Sequence, residues 1–199
     1  MRNVLVQNMN KVKKAVPTIE NKVKVKIGFG KGNVTIKGNE LNEYLVEKVV
    51  QAIDFGFMAD DALLLMDDDF VLEFIEVKEH TRRKNLVEVR SRIIGTGGKA
   101  RKTIENLTGS EIVIHGNTVG IIVDSVHLDA AVQGIESLIQ GAKHGNVFAY
   151  LEKQNKSRRK FERDDLGLKE GVEDLSEEDD EEGLSDEEIA EAEAELKES

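Results

Sequence analysis

The chain has 199 residues, 39% of them hydrophobic, enough for one large domain or two small ones with a real core. It contains no cysteine, which excludes disulfides, thiolate metal sites and cysteine nucleophiles, and its four histidines (His80, His115, His127, His144) lack metal-ligand spacing. The formal net charge of −11 argues against a polyanionic partner until its distribution is read: residues 154–199 hold 7 Lys/Arg and 19 Asp/Glu, leaving 21 and 20 of each in the rest.

In chain order, residues 2–6 read as a strand and residues 8–16 as a short helix that Pro17, the one proline, is expected to end. Residues 22–27 alternate Lys with Val or Ile, the pattern of a strand with one wet face, and turn through residues 28–32 into a strand at 33–37. Leu41, Leu45, Val46, Val49, Val50 and Ile53 recur at helical spacing, closing at Gly56. Residues 58–66 and a strand-like stretch at 70–77 are expected to link this unit to a second one. Asp67-Asp68-Asp69 between them reads as a polar loop rather than a metal cluster, because consecutive side chains point in different directions.

The second unit repeats the first. A strand is expected at 85–91, a helix at 99–108 and a hairpin from 111–115 to 118–123 through Gly116-Asn117. A helix then carries Val126, Ala130, Val132, Ile135, Leu138 and Ile139 and closes at Gly141. Gly116-Asn117 lies 84 positions after Gly32-Asn33, and Gly141 lies 85 after Gly56. The order strand–helix–hairpin–helix, occurring twice, describes two small α+β modules. Acids dominate from Asp164 onward, which predicts a disordered tail, with one capping box at Ser185-Asp186-Glu187-Glu188 ahead of the stripe Ile189, Ala192, Leu196. No apolar run reaches the roughly 20 residues a bilayer crossing needs, and the start of the chain lacks a signal-peptide pattern, so a soluble cytoplasmic protein is expected.

Chemistry concentrates in one segment. Residues 81–102 carry eight bases and one acid (Glu88) around Gly95-Thr96-Gly97-Gly98. Glycines let a backbone approach a ligand closely, and the helix expected from Lys99 aims its free amides and positive dipole end at the loop. Arg90, Arg92, Lys99, Arg101 and Lys102 add cations. Ile93, Ile94 and Ile104, with alternate residues of 111–115, could floor a groove for unstacked bases, so the loop is a candidate clamp for a single strand. A Walker loop would need Gly where Ile93 stands and Ser or Thr where Ala100 stands, and the dinucleotide pattern G-x-G-x-x-G is unmatched. The other glycine cluster, Gly28-Phe29-Gly30-Lys31-Gly32, connects strand to strand and reads as a hairpin turn.

Residues 93–110, I-I-G-T-G-G-K-A-R-K-T-I-E-N-L-T-G-S, resemble the signature of a KH domain. More narrowly they are similar to the second KH domain of the partner-of-Nob-one family of small-subunit ribosome assembly factors. The likeness extends through G-N-T-V-G-I-I at 116–122 and through residues 141–152, and more loosely back to about residue 20. The resemblance implies two tandem type I-like KH modules of order βααββα, the first degenerate, at 1–78 and 79–153. The tail is a departure from the family's core, and the sequence itself predicts a basic-then-acidic, mostly disordered tail over 154–199 with a short helix near 186–197. It implies a non-catalytic protein that binds single-stranded rRNA near the 3′ end of the small-subunit rRNA, working beside the trimming endonuclease and other assembly factors. The RNA-contacting motif maps onto Gly95, Thr96, Gly97, Gly98 and the cations around them. No cofactor or metal is implied. Where the first module should carry its own Gly-x-x-Gly, the chain has Gln7-Asn8-Met9-Asn10, so Lys11, Lys13, Lys14, Lys22, Lys24 and Lys26 are its remaining means of touching phosphate. Two other readings stand beside this one: a KH-fold scaffold for protein docking, and an accessory subunit in RNA degradation or translation. For an enzyme, His144 is the best acid/base candidate, and capping a helix that begins near Gly145 is its expected role.

Overall fold

A computed structural model describes the backbone of residues 1–165 and the side chains of residues 1–157. Residues 166–199, including the expected acidic tail and its 186–197 helix, lie outside the described residues.

Two three-stranded antiparallel sheets share one strand order. In the first, β1 (Arg2–Leu5) and β2 (Lys26–Phe29) flank β3 (Asn33–Lys37); in the second, β4 (Phe70–Glu76) and β5 (Glu111–His115) flank β6 (Thr118–Asp124). Each hairpin turns at the expected glycine–asparagine pair, with Gly32 and Gly116 at φ 77° and 58°. Each is followed by a helix, α2 (Glu40–Phe55) or α6 (Leu128–Gln140), that ends at the expected glycine.

In the first unit α1 (Met9–Lys22) buries Val12, Ala15, Val16 and Ile19, the stripe of an amphipathic helix, against α2 and the inner face of the sheet. Pro17 lies inside this helix rather than at its end. The buried stripe continues past it, and the missing amide falls on the exposed side, so tertiary packing overrides the break. The strand expected at 22–27 accordingly starts later, at Lys26, because α1 runs through Lys22. Residues 58–66 form the short α3 (Ala59–Ala62) and a 3-10 turn, whose Ala62, Leu63 and Leu65 join the first core.

The second unit departs from expectation in two ways. Residues 70–76 are no linker: β4 pairs with β6 from Phe70↔Asp124 to Glu76↔Thr118 and is the unit's first strand. Residues 85–91, expected as a strand, open α4 (Leu86–Ile94). The Asn85 side chain accepts from the Glu88 amide at 3.4 Å, an N-cap, and Val89 and Ile93, one turn apart, are fully buried. With α5 (Lys99–Thr108) the order becomes strand–helix–helix–strand–strand–helix. Finally α7 (His144–Asp165) carries the chain as helix past residue 154, where a disordered tail was expected to begin. Its first turns are seated by Val147 and Leu151 in the second core.

β6 is buried on both faces, which its unbroken Val-Gly-Ile-Ile-Val run reflects. Val119, Ile121 and Val123 join the core under α4, α5 and α6, while Ile122 joins the first unit's core. Between them Gly120 leaves room for Phe55 and Phe57: a Cβ there would lie 2.7 Å from one ring and 3.0 Å from the other. The first unit thereby covers the outer face of the second sheet.

Candidate nucleic-acid interface

The glycine loop joins helix to helix, α4 to α5, and not strand to helix as its flanking apolar run suggested. Gly95 ends α4 at φ 71°, with its amide bonded to the Ser91 carbonyl at 2.8 Å. A Cβ at Gly95 would sit 2.6 Å from the Ala100 Cβ, so both backbone angle and space require glycine. Thr96, Gly97 and Gly98 make one 3-10 turn closed by Gly98 N–H to Gly95 C=O at 3.2 Å. Gly97 (φ 59°) and Gly98 (φ 80°) have open space where a side chain would stand. Gly98 is also the N-cap of α5, and no side chain caps that helix. Bare backbone and a helix start thus face the same side, an arrangement suited to a phosphate.

The five predicted cations divide. Lys99 and Lys102 are exposed and, among the described residues, form no ion pair. Arg101 lies 3.5 Å from Glu105, whose carboxylate also accepts the Ile112 amide at 3.0 Å, so this pair ties α5 to β5. Arg90 donates to the Gly116 carbonyl at 2.6 Å, bracing the β5–β6 turn against α4. Arg92 points elsewhere, donating to the Ala142 carbonyl at 2.7 Å beyond α6. His144 reaches back from the first residue of α7, its Nε2 lying 2.9 Å from the Arg92 carbonyl, instead of capping its own helix.

The predicted apolar floor also divides. Ile93 and Ile104 are wholly buried in the second core and offer nothing to a ligand. Ile94 is 38% exposed, and Val87, which the sequence reading passed over, is 59% exposed. Positions 87, 90 and 94 share one side of α4, so Val87, Arg90 and Ile94 form one wall. The spacing of seven between Val87 and Ile94 was the available signal. Asp67, Asp68 and Asp69 form a turn in which the Asp67 carboxylate accepts from the Asp69 amide, and among the described residues no group of three metal-ligating side chains gathers. Among them too, no helix is long and apolar enough to cross a membrane.

With this geometry established, comparison with known proteins is specific. A family model for the second KH domain of the PNO1 family, described as a eukaryotic-type KH domain (KH-domain type I), matches residues 71–156, a span that starts at β4. A KH domain-containing protein of Methanocaldococcus jannaschii is 34% identical over 80% of this chain and 73% of its own. The pre-rRNA-processing protein pno1 of Aspergillus fumigatus is 35% identical over 54% of this chain, which spans 44% of that protein. Among solved structures, Dim2p of Pyrococcus horikoshii superposes with TM-score 0.68 at 30% identity, covering 76% of this chain and 98% of that one. The same organism's a/eIF2alpha–aDim2p–rRNA complex matches with TM-score 0.69 at 30% identity, over 78% of this chain and 94% of that one. Fold, loop and relatives agree: the chain belongs to the PNO1-like family of KH-domain ribosome assembly factors.

Proposed function

We propose that the chain is a non-catalytic RNA-binding factor of small-subunit assembly that grips single-stranded rRNA near its 3′ end through Gly95, Thr96, Gly97 and Gly98. The observation that carries this is the pair Gly97–Gly98, side-chain-free at positive φ, beside a helix start with no side-chain cap and two lysines that form no ion pair among the described residues. Backbone amides would hold phosphate there, Lys99 and Lys102 would add charge, and Val87 and Ile94 would meet the bases. The rRNA named in the Pyrococcus complex supports the ligand class, and the fungal relatives' pre-rRNA processing supports the setting. Two KH-type units, the first without a glycine loop and the second beginning at β4, are the reading that the shared strand order supports. A trimming endonuclease and other assembly factors would be its working partners.

The experiment is Thr96→Asp with Gly97→Asp. Both positions are exposed, and Asp tolerates the left-handed backbone at position 97 better than most residues. The double variant is expected to melt as the wild type does. Its affinity for a single-stranded RNA from the rRNA 3′ end should fall by about a hundredfold or more, since like charges set face to face cost several kcal/mol. A folded double variant that binds at wild-type strength rejects the proposal.

A protein-docking role has one specific support, the a/eIF2alpha subunit that accompanies aDim2p and rRNA in the Pyrococcus complex. Recovery of that subunit by the full chain with RNA digested away would establish it. Recovery lost on digestion would refute direct contact.

A further inference from the structure

We propose that Arg92 and His144 form a clasp that sets the glycine loop from behind, so that the α6–α7 turn takes part in the RNA grip without touching RNA. The inference rests on the RNA reading above and moves Arg92 from ligand contact to positioning residue.

Two hydrogen bonds run in opposite directions between the same segments. The Arg92 Nη2 donates to the Ala142 carbonyl at 2.7 Å, and the His144 Nε2 donates to the Arg92 carbonyl at 2.9 Å. A carbonyl only accepts, so Nε2 carries the hydrogen. Both acceptors stand where a helix has run out of amides: Arg92 in the last turn of α4, and Ala142 just after the glycine that ends α6. Adjacent carbonyls at the end of α4 are thus divided, Ser91 holding the Gly95 amide and Arg92 holding the His144 ring. Two residues, Ile93 and Ile94, separate the clasp from the loop, and both are helix.

The far side of the clasp is anchored. Val147 and Leu151 are 3% and 1% exposed in the second core, and the His144 ring lies 6.0 Å from that of Phe148. By contrast the guanidinium of half-buried Arg92 is committed inward: its Nη2 is bonded to Ala142, and its Nε is buried with no hydrogen-bond partner among the described residues. A buried donor left unpaired costs free energy, which a cation serving only to meet phosphate at the surface would avoid by staying in water, as Lys99 and Lys102 do.

The test compares wild type with Arg92→Ala, Arg92→Lys, His144→Ala and His144→Gln in the full chain, each shown by melting to be folded at the assay temperature. The probe is a labelled single-stranded RNA from the rRNA 3′ end, titrated at several salt concentrations. Arg92→Ala and His144→Ala should each weaken binding roughly three- to thirtyfold, the range typical of residues that bias a site without contacting ligand. The slope of log affinity against log salt should stay at the wild-type value, because no phosphate contact is lost. Joining the two changes should cost no more than the larger single one, since either breaks the same clasp. His144→Gln, whose amide can donate to the same carbonyl, should recover most of the loss. Arg92→Lys keeps the charge without the planar reach and should stay weak, which also decides the matter if Arg92→Ala fails to fold.

A slope shallower by about 0.7 in Arg92→Ala, with His144→Ala silent, would make Arg92 a phosphate contact and overturn the clasp. Wild-type binding by all four variants would overturn it too, leaving the loop reading intact. No binding by the wild-type chain would sink both.

Discussion

The two sheet units start from the same strand order and differ in what stands between their first strand and their hairpin. In the second, β4 is followed by α4, the glycine loop and α5; in the first, only residues 6–8 separate β1 from α1. Those residues are spent on packing: the amides of Gln7 and Asn8 bond to the Asp54 carboxylate, and the Asn8 side chain donates to the Asp54 carbonyl. The turn into α1 is therefore occupied by the chain's own acid, whereas the turn into α5 is bare glycine backbone. One fold plan yields a brace in one case and a candidate clamp in the other, decided by the helix and glycine loop that the second unit has between its first strand and α5 and the first unit lacks.

The outer faces of the sheets differ as well. That of the second sheet is sealed by Phe55 and Phe57, with Phe57 3% exposed. That of the first carries Asn3, Leu5, Lys26 and Thr35 and has no cover among the described residues, leaving Leu5 85% exposed. Phe57→Ala should therefore cost about 3–5 kcal/mol, the usual loss for a buried ring. Leu5→Ala should stay within about 0.5 kcal/mol, as surface changes do. Urea unfolding measures both. Similar losses from the two would mean that the first sheet's outer face is also covered.

A smaller effect separates the cations. Lys99→Ala and Lys102→Ala are each expected to make the salt slope of RNA binding shallower by about 0.7, one phosphate contact on a single strand. Lys13→Ala with Lys14→Ala should together remove less than one contact, because the Asp54 carboxylate stands at the turn into α1 and the Lys13 ammonium already sits 5.5 Å above the Phe29 ring. If the α1 pair changed the slope as much as the loop pair, the first unit would be a second RNA-binding surface rather than a brace.

Much of this contrast could be read in the sequence, and the exceptions share a cause. The hairpin glycines and the helix ends at Gly56 and Gly141 are local signals, and they came out as expected. Val87-Glu88-Val89-Arg90 alternates like a strand over four residues, yet the Asn85 cap and the Val89–Ile93 spacing make it helix. Residues 70–76 read as a linker in the sequence because the partner that makes them β4 lies far along the chain, in β6. The loop's glycines were evident, but the direction each arginine takes was not. Arg90, Arg92 and Arg101 are alike as charges, and only the carbonyls of Gly116, Ala142 and Ile112 distinguish them. Lys99 and Lys102 differ from those three by lacking such partners among the described residues, a fact of packing that composition cannot carry.

The smallest difference concerns one carboxylate in each unit. Glu43, buried in the first, is held below the usual carboxylate range by the Met1 amine, aided by the Gly38 amide at 3.0 Å. Its ionised form is favoured by folding, so it supports stability above its unfolded pKa, and that support fades as pH falls through its lower folded value. Glu111, on the second sheet, is pushed upward by burial and by Asp61 and Glu105. Folding there favours the proton, so its contribution becomes unfavourable as pH rises through the raised value and stays so at neutral pH. Glu111→Gln should accordingly raise the urea midpoint at pH 7 slightly, by a stability gain below about 0.5 kcal/mol given its exposure, and the gain should vanish near pH 4. Glu43→Gln should do the reverse at pH 7 and flatten the acid limb of the stability curve. Were both changes to act with the same sign at pH 7, the two carboxylates would not sit in opposite fields, and the crowding of Glu111 against Asp61 at the junction of the units would have to be given up.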